Sequence, residues 1–102
     1  MGRRFECPFS EYPDAWIELP DVWLGRHAQR RDQAVEAARR YNSETMTAFA
    51  AAMALLENWR LPGLEGNPEH WDFSALDLRL IAWVSQVVLG DFAKAWEIPK
   101  NS

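Results

Sequence analysis

The sequence predicts a mainly α, small single-domain protein. It reads as about three main helices and a short C-terminal turn, preceded by a non-helical N-terminal arm that has room for one short β-strand. Three observations carry this. Apolar residues recur at helical spacing in three separate segments. Pro8, Pro13 and Pro20 punctuate the first segment and exclude helix there. The 102 residues are 48% hydrophobic and 25% charged, which suffices for one core without disulfides or metal. The expected division within this single domain is an arm over 1–20, a helical body over 21–98 and a tail over 99–102.

Within the arm, Ala15-Trp16-Ile17-Glu18-Leu19 is aromatic and β-branched, with Trp16 and Glu18 alternating against Ile17 and Leu19. That alternation suits one edge strand. Asp21, after Pro20, is the expected N-cap of a first helix reaching Tyr41, with Leu24, Ala28, Val35 and Ala38 on one stripe and arginines largely off it. Ser43 is a good cap for a second helix, in which Met46, Phe49, Ala50, Met53 and Leu56 repeat at buried-face spacing. This helix is expected to end near Trp59 or Arg60, ahead of Pro62-Gly63. A loop from Leu61 to Asp72 follows. Ser74 and Asp77 then read as a capping-box variant opening a third helix, with Leu76, Leu80, Trp83, Val84, Val87 and Val88 on its apolar face. Gly90 is its expected C′ residue, and Asp91 caps a last short turn, Phe92 to Trp96.

The net charge of −4 is unevenly distributed. Residues 26–40 hold five arginines against Asp32 and Glu36, while the flanking segments are acidic. No apolar stretch follows Arg3-Arg4 as a signal peptide requires, and Met46 to Leu56 falls far short of the roughly 20 residues of a membrane span. A soluble cytoplasmic protein with no membrane association is expected.

Catalytic constellations are absent from the sequence. His27 and His70 are the two histidines, and neither belongs to a metal-ligand spacing. His27, beside Arg26, reads as a solvated surface residue; His70 reads as a loop residue held by a hydrogen bond. Cys7 has no neighbouring His or Lys to activate a thiolate. No glycine-rich phosphate loop is present, so no enzyme activity, cofactor or metal is expected. Arg30 and Arg31 are candidate partner contacts. An acidic protein partner suits them better than nucleic acid, given a pI near 5.1.

Six tryptophans are the compositional oddity. Each large aromatic buries about 150–250 Å², so six either saturate a small core or reach a binding surface. Trp59 and Trp83 fall on helical stripes and are expected in the core; Trp23 and Trp71 are expected to latch irregular segments. Trp16 and Trp96 flank the helical body and, with Phe92, are the candidate apolar partner contacts.

Four stretches resemble small tail assembly chaperones of tailed phages and prophages: Leu19-Pro20-Asp21-Val22-Trp23-Leu24-Gly25-Arg26-His27, Glu57-Asn58-Trp59-Arg60-Leu61-Pro62-Gly63-Leu64, Asn67-Pro68-Glu69-His70-Trp71-Asp72 and Leu80-Ile81-Ala82-Trp83-Val84. The resemblance spans about Trp16 to Val88. It implies a mostly helical, non-enzymatic protein that binds the tape measure protein, keeps that long apolar chain soluble and helps recruit tail subunits, the major tail protein among them. It also implies a longer frameshifted product, for which Pro99-Lys100-Asn101 is the compatible region. Three other readings stand beside it: a small nucleic-acid-binding regulator using the arginine helix, a virion tail or connector subunit, and a small enzyme with a site near His70. Self-association into a homo-oligomer is compatible with each.

Overall fold

Alternating burial organises the N-terminal third into strands. The computed structural model describes residues 2–66 and 70–97, in which β1 (Arg3–Glu6), β2 (Trp16–Leu19) and β3 (Asn58–Arg60) form an antiparallel sheet in the order β1-β2-β3. Three helices complete it: α1 (Gly25–Ala38), α2 (Glu44–Leu55) and α3 (Leu78–Lys94). The architecture is mixed α/β, which corrects the mainly α expectation. The N-terminal arm supplies two of the sheet's three strands, and the residues expected to end the second helix are its third strand.

The register explains why. Phe5, Ile17 and Trp59 lie opposite one another across the three strands, as do Glu6, Trp16 and Arg60. Ile17 and Leu19 are fully buried beneath the helices, whereas Trp16 and Glu18 face the other way. β2 is therefore the central strand, not an edge. β3 ends the helical run because Trp59 gains a cross-strand neighbour in Ile17, a tertiary gain that outweighs the helix propensity of a short segment.

α2 is apolar on nearly every face, and it packs on both α1 and α3. Its Phe49, Met53 and Leu55 meet Ile17 and Leu19 from the sheet and Ile81, Val84 and Val88 from α3 in one core. Ser43 caps α2 as expected, its hydroxyl accepting the Met46 amide at 3.3 Å. Asn42, at φ 49°, makes the left-handed turn between α1 and α2.

Besides the end of α2 at Leu55, three further helix ends differ from expectation. α1 starts at Gly25, not Asp21: Leu24 is extended at its N-cap, and Trp23 before it is held on Asp91 and Phe92. Asp77 itself caps α3 by accepting the Arg79 amide at 2.9 Å, while Ser74 belongs to a separate 3₁₀ turn, Phe73–Ala75. α3 also runs through Gly90, which keeps a helical conformation, since burial of Phe92 and the bonds of Asp91 hold the next turn in place. The tail from Pro99, like the loop residues Asn67, Pro68 and Glu69, lies outside the described residues. Among the described residues no helix is long and apolar enough to cross a membrane.

Candidate functional site

Small residues four apart on two neighbouring helices create an apolar concavity. Ala34 and Ala38 of α1 and Ala50 and Ala54 of α2 project side chains too short to fill the space between the helices. A groove of about 400 Å³ results. That lies within the ~300–1,000 Å³ range of pockets that take a ligand or a few inserted side chains.

Aromatic rings supply the rest of its lining. Tyr41 enters from the 3₁₀ turn after α1, Trp59 from β3, and Trp71 and Phe73 from the segment before α3. The rings form a continuous edge-to-face series: Tyr41 to Phe73 at 5.4 Å, Phe73 to Trp71 at 6.2 Å and Trp71 to Trp59 at 5.8 Å between centroids. Phe49 joins from the core at 5.7 Å and anchors Phe73. Both indoles are fixed by backbone carbonyls: Trp59 donates to Leu64 at 2.9 Å and Trp71 to Glu65 at 3.2 Å. These bonds satisfy the polar edges and leave ring surface to line the groove.

Charge enters only at the rim. Arg30 and Arg40 line the groove from α1 and the turn after it, and the Arg40 guanidinium lies 4.9 Å from the Tyr41 ring, donating to its hydroxyl at 2.9 Å. Among the described residues no carboxylate lines this groove. The chemistry offered is burial of apolar groups beside positive charge, with no nucleophile or acid–base pair.

The other candidate residues lie elsewhere. Arg31 donates to Asp32 at 3.1 Å and sits 5.1 Å from the Phe92 ring. Phe92 is 4% exposed and packs in the core, held edge-on by Trp23 at 5.0 Å. Trp96 packs on Phe92 at 5.8 Å but stays 61% exposed, sharing a shallow pocket with the exposed Leu24. Trp16 lies on the outer face of the sheet with the Arg4 guanidinium 3.8 Å from its ring centroid. Arg30 alone of these candidates reaches the groove, so the structure does not gather them into one site.

Two polar clusters hold the frame. Arg3 clamps Asp91 with two hydrogen bonds, at 2.9 and 2.6 Å, and also donates to the Pro20 carbonyl. Asp91 also accepts the Trp23 indole N–H at 2.9 Å. These donors, Arg3 first, hold the Asp91 carboxyl below its usual pKa, and the Asp91 carboxylate in turn raises that of Arg3. At the other end of α3, Asp77 accepts from Arg79 and from the Tyr12 hydroxyl, and Arg79 pairs with Glu11. The Arg79 guanidinium keeps Asp77 well below the ordinary carboxylate range.

His27 is fully buried, not solvated. Its Nδ1 accepts the Leu24 amide at 2.9 Å while its own amide donates to the Leu24 carbonyl at 2.9 Å, a reciprocal cap at the start of α1. With Nδ1 accepting, Nε2 carries the proton and faces Glu57 Oε1 at 3.4 Å. His70 is exposed. Among the described residues no three His, Cys, Asp or Glu side chains are placed to hold a metal ion.

Comparison with protein-family models, with curated proteins and with solved structures finds no match to this chain.

Sequence reasoning missed Trp59, Trp71, Phe73 and Tyr41 as a set because they come from three separate segments. The one available signal was the density of alanine on the two facing helices.

Proposed function

We propose that this chain is a non-enzymatic binding protein that takes an apolar, helical stretch of a partner polypeptide into the groove between α1 and α2. The observation that carries the proposal is that lining: alanines and fixed aromatic rings, apolar throughout, with arginine at the rim. Such a surface suits the apolar face of an amphipathic helix, whose anchors recur at i, i+3, i+4 and i+7, better than it suits a polar substrate. Arg30 at the rim favours a partner with acidic residues flanking those anchors.

The sequence resemblance gives that partner an identity: the tape measure protein of a tailed phage or prophage, held soluble in the cytoplasm while the major tail protein and other subunits gather. A nucleic-acid role draws less support, because Arg31 and Arg39 are turned onto Asp32 and Glu36 of their own helix.

Co-expression with the tape measure protein of the same phage or prophage tests this. The chain is expected to raise the partner's soluble yield, and Ala54→Phe, which fills the groove, is expected to remove the gain. Equal partner solubility with and without the chain would sink the proposal.

A further inference from the structure

We infer that the outer edge of β1 pairs with β1 of a second copy of this chain, joining two sheets across a two-fold axis. This surface is separate from the groove, since β1 and β3 are opposite edges of the sheet.

The hydrogen-bond phase of β1 is the starting point. The Cys7 amide donates to the Ala15 carbonyl at 3.0 Å, continuing the register that sets Phe5 opposite Ile17 and Arg3 opposite Leu19. In an antiparallel ladder such bonded pairs alternate with non-bonded ones. Arg3, Phe5 and Cys7 therefore bond to β2, while the N–H and C=O groups of Arg4 and Glu6 point away from it, along the open edge. No other strand pairs with that edge among the described residues.

Charge then selects the partner. A two-fold axis through Phe5 sets Arg4 opposite Glu6 of the second copy and Glu6 opposite its Arg4. Both become bonded pairs, so four backbone hydrogen bonds form and two opposite-charge pairs meet on the outer face, where both side chains are already exposed. Sliding by one bonded pair in either direction sets Arg4 against Arg4 or Glu6 against Glu6, and like charges directly opposite are destabilising. The half-buried Phe5 meets its symmetry mate at a non-bonded position, where side chains approach most closely. The four-residue strand is thus self-complementary in a single register, which is what an isologous contact requires. Edges are often protected by charge, but a protective pattern does not need to match its own mirror.

The experiment is sedimentation equilibrium of the full chain over a concentration series, combined with amide hydrogen exchange. The expected result is a concentration-dependent dimer in which protection of the Arg4 and Glu6 amides rises with concentration. Arg4→Glu and Glu6→Arg alone each weaken dimerisation about tenfold, since two attractive pairs become repulsive. Arg4→Glu combined with Glu6→Arg restores it to within about threefold, because opposite charges again face each other in the same register. Glu6→Pro removes an outward donor while leaving the β2-facing amides intact, and gives a monomer that keeps its circular dichroism and Phe5 amide protection. A chain that stays monomeric at every concentration overturns the inference. So does a dimer insensitive to the single reversals, or a double variant no tighter than the single ones.

Discussion

Two series of edge-to-face rings run through the molecule and end differently. In one, Trp23 sits between His27 and Phe92, and its indole is bonded to an Asp91 that Arg3 also clamps. The Trp23 N–H and the Asp91 carboxylate there tie β1 and α3 to the segment that precedes α1. In the other, Tyr41, Phe73, Trp71 and Trp59 are fixed by short-range bonds to a turn and a loop, and their surfaces line an open groove. The difference separates aromatic side chains that hold the fold from those available to a partner. Position along the chain, which singled out Trp16 and Trp96, does not make that separation; the destination of each ring's hydrogen bond does.

Breaking the first series has the largest effect on stability. Trp23→Ala is expected to cost about 3 kcal/mol, since it removes a large packed ring and strands part of the Asp91 network. Urea denaturation measures this, and a loss under 1 kcal/mol would show that the ring is not a fastener. Asp91→Asn keeps an acceptor for the Trp23 indole but loses the charge facing Arg3, and is expected to cost about 1 kcal/mol by the same assay.

Acid separates the two series further. The folded-state pKa values of Asp91 and Asp77 are lowered, so their contribution to stability is complete above the unfolded carboxylate value of about 4 and is lost as pH falls through the lowered folded values. Thermal melts from pH 6 down to pH 2 are expected to show Tm falling below about pH 4, with a shallower fall in Asp91→Asn. Parallel curves for the two proteins would rule Asp91 out as a source of the slope. The smallest effect belongs to Trp96, which is mostly exposed: Trp96→Ala is expected to change stability by less than about 0.5 kcal/mol.

Helical stretches with caps or long apolar stripes were legible in the sequence. Ser43 capped α2, the alternation around Ile17 marked β2, and the stripe through Leu80, Val84 and Val88 marked α3. What stayed hidden depended on partners distant in sequence. β1 begins Arg3-Arg4, and its inward Arg3 is tolerable only because Asp91, 88 residues away, receives it. β3 is three residues long and exists through its pairing with β2. His27 looked solvated beside Arg26, yet its ring caps its own helix, a role that no apolar periodicity encodes. Gly90 resembled a helix stop, and the buried Phe92 beyond it outweighed its modest propensity cost. The groove was hidden for the same reason: alanine spacing permits both close packing and a gap, and only the crossing of Trp59, Trp71 and Phe73 decides which.

The most direct test of the separation is isothermal titration of the tape measure protein's apolar helical segment into the wild-type chain and into Ala54→Phe, each with its melting temperature recorded. The account predicts that Ala54→Phe loses at least tenfold in affinity, about 1.4 kcal/mol, while Tm stays within a few degrees of wild type. Unchanged affinity in a folded Ala54→Phe protein would contradict it, and the groove would then be a packing gap with no part in binding.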